Sequence, residues 1–229
     1  MTKLVVECCA NSIESAINGQ KGGTNRIELC TELESGGITP LHKEITLAKS
    51  LLNIPVFVLI RPRKGNFIYT EKEFQQIISD IEFCKKTGCE GVVIGSLNLD
   101  GSINKEQTSE MVKIARPMEV TFHRAFDESK DIENDLNCII SCGCDRLLTS
   151  GKKENVELGY NNLKKIIQLS EGRIKVMAGS GLSHTNIEKL YNIGIREFHL
   201  SGKIKNKEGK IETSEELIRL AVSKTKTLA

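Results

Sequence analysis

The chain has 229 residues, of which 39% are hydrophobic, 27% charged and only 4% aromatic. That apolar share excludes a disordered chain, and the lack of a collagen or heptad repeat excludes fibrous architectures. Lysine and arginine number 32 against 30 acidic residues, so the net charge of +2 supplies no basic face for nucleic acid.

No apolar run approaches the roughly 18 residues of a membrane span. The longest, Val56 to Ile60, is strand-sized. Residues 1–10 lead directly into an apolar strand that carries Glu7, without a signal-peptide layout, so a cytoplasmic protein with no membrane partner is expected. The eight cysteines (8, 9, 30, 84, 89, 138, 142 and 144) lack CxxC spacing. In a reducing compartment most of them read as small buried apolar side chains.

In chain order, β-rich runs are predicted at Leu4–Cys9, Arg26–Cys30, Pro55–Ile60, Gly91–Ile94, Glu119–Phe122, Arg146–Leu148, Lys175–Ala178 and Glu197–Leu200. Helical patterns lie between them. Asn11 with Glu14, Thr70 with Glu73 and Thr213 with Glu216 have the spacing of a cap residue answered by a carboxylate three positions later. Gly22-Gly23, Gly88, Gly143, Gly172 and Gly194 stand where helices should stop. Phe74, Ile77, Ile78 and Ile81 share one helix face, as do Leu136, Ile139 and Ile140. Eight strand–helix units without G-x-G-x-x-G after the first strand favour a closed (β/α)₈ TIM barrel over an open doubly wound sheet. No linker interrupts the pattern, so residues 1–229 are read as one domain.

In such a barrel the reactive residues sit where strands run out into the βα loops. Here these are Glu7, Glu28, Arg61, Arg63, His123, Arg124, Asp127 and His199, the catalytic candidates. Side-chain alternation sharpens the choice. If Val6, Ile27, Leu29, Val58, Ile60, Val120, Phe122, Phe198 and Leu200 face the helices, then Glu7, Glu28, Arg61, His123 and His199 point into one mouth. The bland alternative is a barrel plugged by internal ion pairs, because a buried charge needs a partner either way. Gly179, Ser180, Gly181, Ser201 and Gly202 form the last two loops, where barrels often bind phosphate. A helix capped by Ser183 is expected to follow. Glycines that merely permit sharp turns would look the same.

Glu7-Cys8-Cys9 and Glu28-Leu29-Cys30 repeat Glu-x-Cys at the ends of neighbouring strands. Cys9 and Cys30 could therefore hold a soft metal such as Cu(I), or could simply fill space. His42 and His184 read as isolated, exposed helix-start residues. Residues 203–210 read as a solvated loop from which one lysine could reach an anion beside Ser201.

The strings ECCANSIESA, RIELC, SGGITP, VFVLIRPRKGNFIY, VTFHRAFD, RLLTSG and FHLSG resemble the motifs of the CutC family from residue 4 to about residue 202. The resemblance implies a single (β/α)₈ barrel, cytoplasmic and homo-oligomeric, with a role in copper homeostasis through Cu(I). Cys9 and Cys30 match the family's proposed copper ligands. Ser180 departs from an all-glycine turn and Leu41 from a Thr-Pro-Ser string. Two function classes follow. One is a copper-homeostasis protein binding Cu(I) through the cysteine pair. The other is a barrel enzyme (isomerase, lyase or hydrolase) acting on a small substrate that is phosphorylated or otherwise anionic.

Overall fold

A computed structural model describes residues 4–206 and 209–228. Eight parallel strands close into a barrel in sequence order: β1 (Val5–Ala10), β2 (Arg26–Leu29), β3 (Val56–Leu59), β4 (Gly91–Ile94), β5 (Glu119–Phe122), β6 (Arg146–Thr149), β7 (Lys175–Gly179) and β8 (Glu197–Leu200). Around them lie α1 (Ile13–Lys21), α2 (His42–Leu51), α3 (Glu71–Thr87), α4 (Lys105–Ala115), α5 (Ala125–Glu128), α6 (Ile132–Ser141), α7 (Tyr160–Ser170) and α8 (Ile187–Asn192). After β8 comes an antiparallel hairpin of β9 (Lys203–Lys205) and β10 (Ile211–Thr213), followed by α9 (Glu215–Lys226). The fold is the (β/α)₈ barrel expected from the alternation. Among the described residues no helix is long and apolar enough to cross a membrane.

Alternation along the strands divides the core in two. Val6, Ile27, Val58, Ile60, Val120, Phe122 and Phe198 belong to the large apolar layer between strands and helices. Cys9, Cys30, Phe57, Leu59 and Val93 form a small cluster inside the barrel. The apolar helix faces complete the outer layer: Phe74, Ile77 and Ile81 of α3 and Leu136 and Ile139 of α6 are buried.

The capping box of α3 forms as read. Thr70 Oγ1 accepts the Glu73 N–H at 3.3 Å, and Glu73 Oε2 accepts the Thr70 N–H at 2.8 Å. Two other caps shift by one residue. Ser12 rather than Asn11 caps α1, because the Asn11 amide is drawn to the hairpin, donating to the Ile211 carbonyl at 3.0 Å. Ser214 rather than Thr213 caps α9, because Thr213 ends β10. The expected loop at 203–210 is partly this hairpin; its residues 207 and 208 lie outside the described residues.

Candidate functional site

Strand register carries the polar residues to the barrel axis. Glu7 stands beside Arg26 on one side and His199 on the other, and Cys9 stands beside Glu28. The interior then separates into two levels.

The lower level is an ion-pair lattice. Arg26 Nε donates to Glu7 and its Nη2 to Glu197 Oε2 at 2.6 Å. Arg146, 1% exposed, donates to Glu197 at 2.5 Å and to Glu119 at 2.9 Å. Both guanidinium groups face the Phe57 ring, at 4.9 and 5.4 Å from its centroid. Gly91 makes room for that ring, since a Cβ there would stand 2.5 Å from it. Burial alone would raise the Glu7 carboxyl, but Arg26 and the His199 hydrogen bond outweigh it and hold the pKa at about 2.

Above this lattice a cavity of about 450 Å³ opens at the C-terminal ends of the strands. Cys9, Glu28, Arg61, His123, Arg124, His199, Ser180, Gly181, Ser201 and Gly202 all line it. Cys9 Sγ lies 3.7 Å from Cys30 Sγ and 4.0 Å from Glu28 Oε1. Glu7 accepts a hydrogen bond from His199 Nδ1 at 2.7 Å, which leaves the other ring nitrogen for a ligand. Cys9, Glu28 and His199 each offer a ligand atom within 4.8 Å of one another. Burial pushes the Glu28 carboxyl up to about 7 against the pull of His199. Burial disfavours charge on His199, yet Glu28, Cys9 and Glu7 raise its pKa well above the usual histidine range. The hydrogen bond with Cys30, followed by burial, lifts the Cys9 thiol well above its ordinary value.

Arg61, just past β3, and His123, just past β5, line the same cavity. Arg61 is 6% exposed, and its Nη atoms donate to the carbonyls of Ser35, Gly37 and Gly65. Among the described residues it has no carboxylate partner, and its Nε–H has no acceptor. His123 Nδ1 accepts the Ala125 N–H at 3.1 Å. Gly95 makes room for this ring, since a Cβ there would lie 2.4 Å from it. Burial, and then the Arg61 charge, push the His123 imidazole down to about 3, so it is neutral.

The other sequence candidates fall elsewhere. Arg63 turns away from the cavity to Glu73, at 2.5 Å, and to the carbonyls of Lys64, Asn66 and Ile68. Two residues beyond Arg61 the chain is loop, so strand alternation no longer aims the side chain. Asp127 clamps the loop after β6, accepting from Thr149 Oγ1 at 2.5 Å and from the N–H groups of Ser150 and Lys152. Arg124 reaches the cavity rim while pairing with Asp127 at 2.8 Å. Gly179 lies within β7 with Leu148 and His199 packed against it. Ser180 takes φ +81°, a conformation glycine adopts freely and serine under strain, and its hydroxyl donates to the Glu154 carbonyl.

Ser183 does not cap a helix. α8 starts at Ile187 behind Asn186, whose side chain accepts the Ser183 N–H at 3.0 Å. His42 does start α2, where it pairs with Asp80 at 2.8 Å and stacks on Phe83 at 3.7 Å. His184 lies in a turn on the cavity rim rather than at a helix start, and Lys203 reaches the same rim. The sequence reading did not find Arg26, Arg146 and Glu197, although Arg26 and Glu197 precede the recognised inward residues Glu28 and His199 by two positions.

The CutC family pattern matches residues 4–204. The chain belongs to the CutC family. A family protein CutC from Bacteroides fragilis is 40% identical over 211 residues, covering 91% of this chain and 84% of the relative. A human copper homeostasis protein cutC homolog is 41% identical over 200 residues, covering 87% of this chain and 73% of the relative. The crystal structure of a putative copper homeostasis protein CutC from Streptococcus agalactiae superposes with a TM-score of 0.82 at 27% identity, covering 86% and 98% of the two chains. This chain thus carries Cys9, the Glu28 and His199 pair and Arg61 around one cavity.

Proposed function

We propose that this CutC-family protein serves copper homeostasis by holding Cu(I) on Cys9 and Cys30 at the barrel mouth, with His199 as a further donor. Family membership supports the copper role. The approach of two free, buried thiols to 3.7 Å carries the finer assignment. The donor set suits the ion, because soft thiolates and imidazole favour Cu(I) over hard cations. Glu7 would fix the His199 ring from behind, as a carboxylate behind a ligating histidine does. Both thiols and the ligating nitrogen of the His199 ring must lose their protons to bind the ion, so affinity falls with falling pH. The working form is taken as a cytoplasmic homo-oligomer, in line with the family resemblance. Competition with a Cu(I) chelator under reducing conditions tests the site. Wild type should compete strongly and Cys9→Ser/Cys30→Ser should not, while both remain folded. Equal competition by the two proteins would remove the cysteine pair from the site.

One observation favours a second reading, that of an enzyme acting on a small anionic substrate. Arg61 puts a buried, uncompensated positive charge in the cavity wall, and an isolated buried charge is costly unless something neutralises it. Glu28, His123 and His199 would then supply acid–base groups for isomerisation, lyase cleavage or hydrolysis. Ser180, Gly181, Ser201 and Gly202 would help to surround the anion.

A further inference from the structure

The His123 ring reveals its own tautomer. Nδ1 accepts the Ala125 N–H at 3.1 Å, so in the neutral ring the proton sits on Nε2. That Nε2 is buried and has no hydrogen-bond partner. Arg61 Nε is in the same condition, since the rest of its guanidinium is engaged by three carbonyls. Two buried N–H donors without acceptors are therefore present in the wall of one cavity. Each carries an unmet desolvation cost while unpaired.

Phe67 joins them. Its ring centroid is 4.5 Å from the Arg61 guanidinium carbon and 4.9 Å from the His123 ring centroid. It shields both donors from water and strengthens any hydrogen bond they make to a charged oxygen. A metal ion cannot use this corner, because both groups are donors.

We propose that His123 Nε2–H and Arg61 Nε–H together form a subsite for a carboxylate or enolate oxygen of a small planar organic anion. The proposal rests on the small-anion reading above and gives it a substrate class and two named donors. The ligand oxygen would accept from both N–H groups, and the Arg61 charge would balance it. Since the ring is already neutral with its Nε2 protonated, binding requires no change of tautomer. Neither donor belongs to the Cu(I) ligand set proposed above, which is Cys9, Cys30 and His199.

Oxalate, a planar dianion of this class, is the probe. Its affinity for the full-length, metal-free protein would be measured by calorimetry, and the ring N–H signals followed by nitrogen-edited NMR. Binding should move the His123 Nε2–H signal downfield in wild type, a readout that needs no variant. His123→Phe and Arg61→Lys should each weaken oxalate by about ten- to a hundred-fold, the loss expected for one hydrogen bond to a charged group. His123→Phe keeps the ring volume, so it remains informative if Arg61→Lys does not fold. Oxalate binding of equal strength in wild type and both variants, with the ring signal unmoved, would overturn the donor assignment and leave the small-anion reading standing. No binding of oxalate or of inorganic phosphate at millimolar concentration would overturn both.

Discussion

The two levels of the barrel interior use the same residue types to opposite ends. In the lower level Arg26, Arg146, Glu7, Glu119 and Glu197 partner one another through short charge-assisted hydrogen bonds, and none of their buried polar atoms is orphaned. In the upper level Glu28 Oε2, Arg61 Nε and His123 Nε2 are buried without a hydrogen-bond partner. A closed ion lattice is a plug that holds the strands in register. An incomplete one beside a cavity is a place for a ligand. Ionisable residues inside a barrel therefore do not mark a site by themselves; the unfinished hydrogen bonds do.

The largest effect should come from breaking the plug. Glu197 joins both buried arginines, so Glu197→Leu strands positive charge in a dry interior and should cost about 3–5 kcal/mol of stability. Urea unfolding, followed by circular dichroism because the chain has no tryptophan, would measure it. A variant as stable as wild type would mean that the lattice does not hold the barrel.

A smaller effect belongs to the mouth and depends on pH. The native His123 pKa lies near 3, below its ordinary 6.5. Between those values the unfolded chain takes a proton that the native state refuses. This contribution is complete above pH 6.5 and is lost as pH falls toward 3. His123→Phe should therefore lose stability less steeply on acidification, by up to roughly 1.4 kcal/mol per pH unit. Parallel acid limbs in the two proteins would contradict the buried neutral ring.

The smallest effect should come from neither level. Thr70→Ala removes a cap on the outer surface and should cost about 1 kcal/mol while leaving Cu(I) and anion binding unchanged. A change in either binding would show that the outer layer and the mouth are coupled.

Most of the fold was legible because strand alternation and helix periodicity repeat eight times, so an error at any one element hardly matters. The same alternation found Glu28, Arg61, His123 and His199 in the mouth, and turned Glu7 inward but into the lattice below it. It did not bear on Arg63 and Asp127, which were candidates only for following strands and lie where the backbone no longer dictates side-chain direction. It also passed over Arg26, Arg146 and Glu197, because attention to the C-terminal strand ends left the inward positions two residues earlier unread. The His184 rim and the hairpin that recruits Asn11 depend on contacts between distant segments, which spacing does not encode.

The most direct test of the copper assignment is X-ray absorption at the copper edge on the Cu(I)-loaded protein. The account predicts sulfur neighbours together with a nitrogen neighbour in wild type, and no sulfur in Cys9→Ser/Cys30→Ser. A wild-type spectrum of nitrogen and oxygen alone, or sulfur that persists in the double variant, would contradict it.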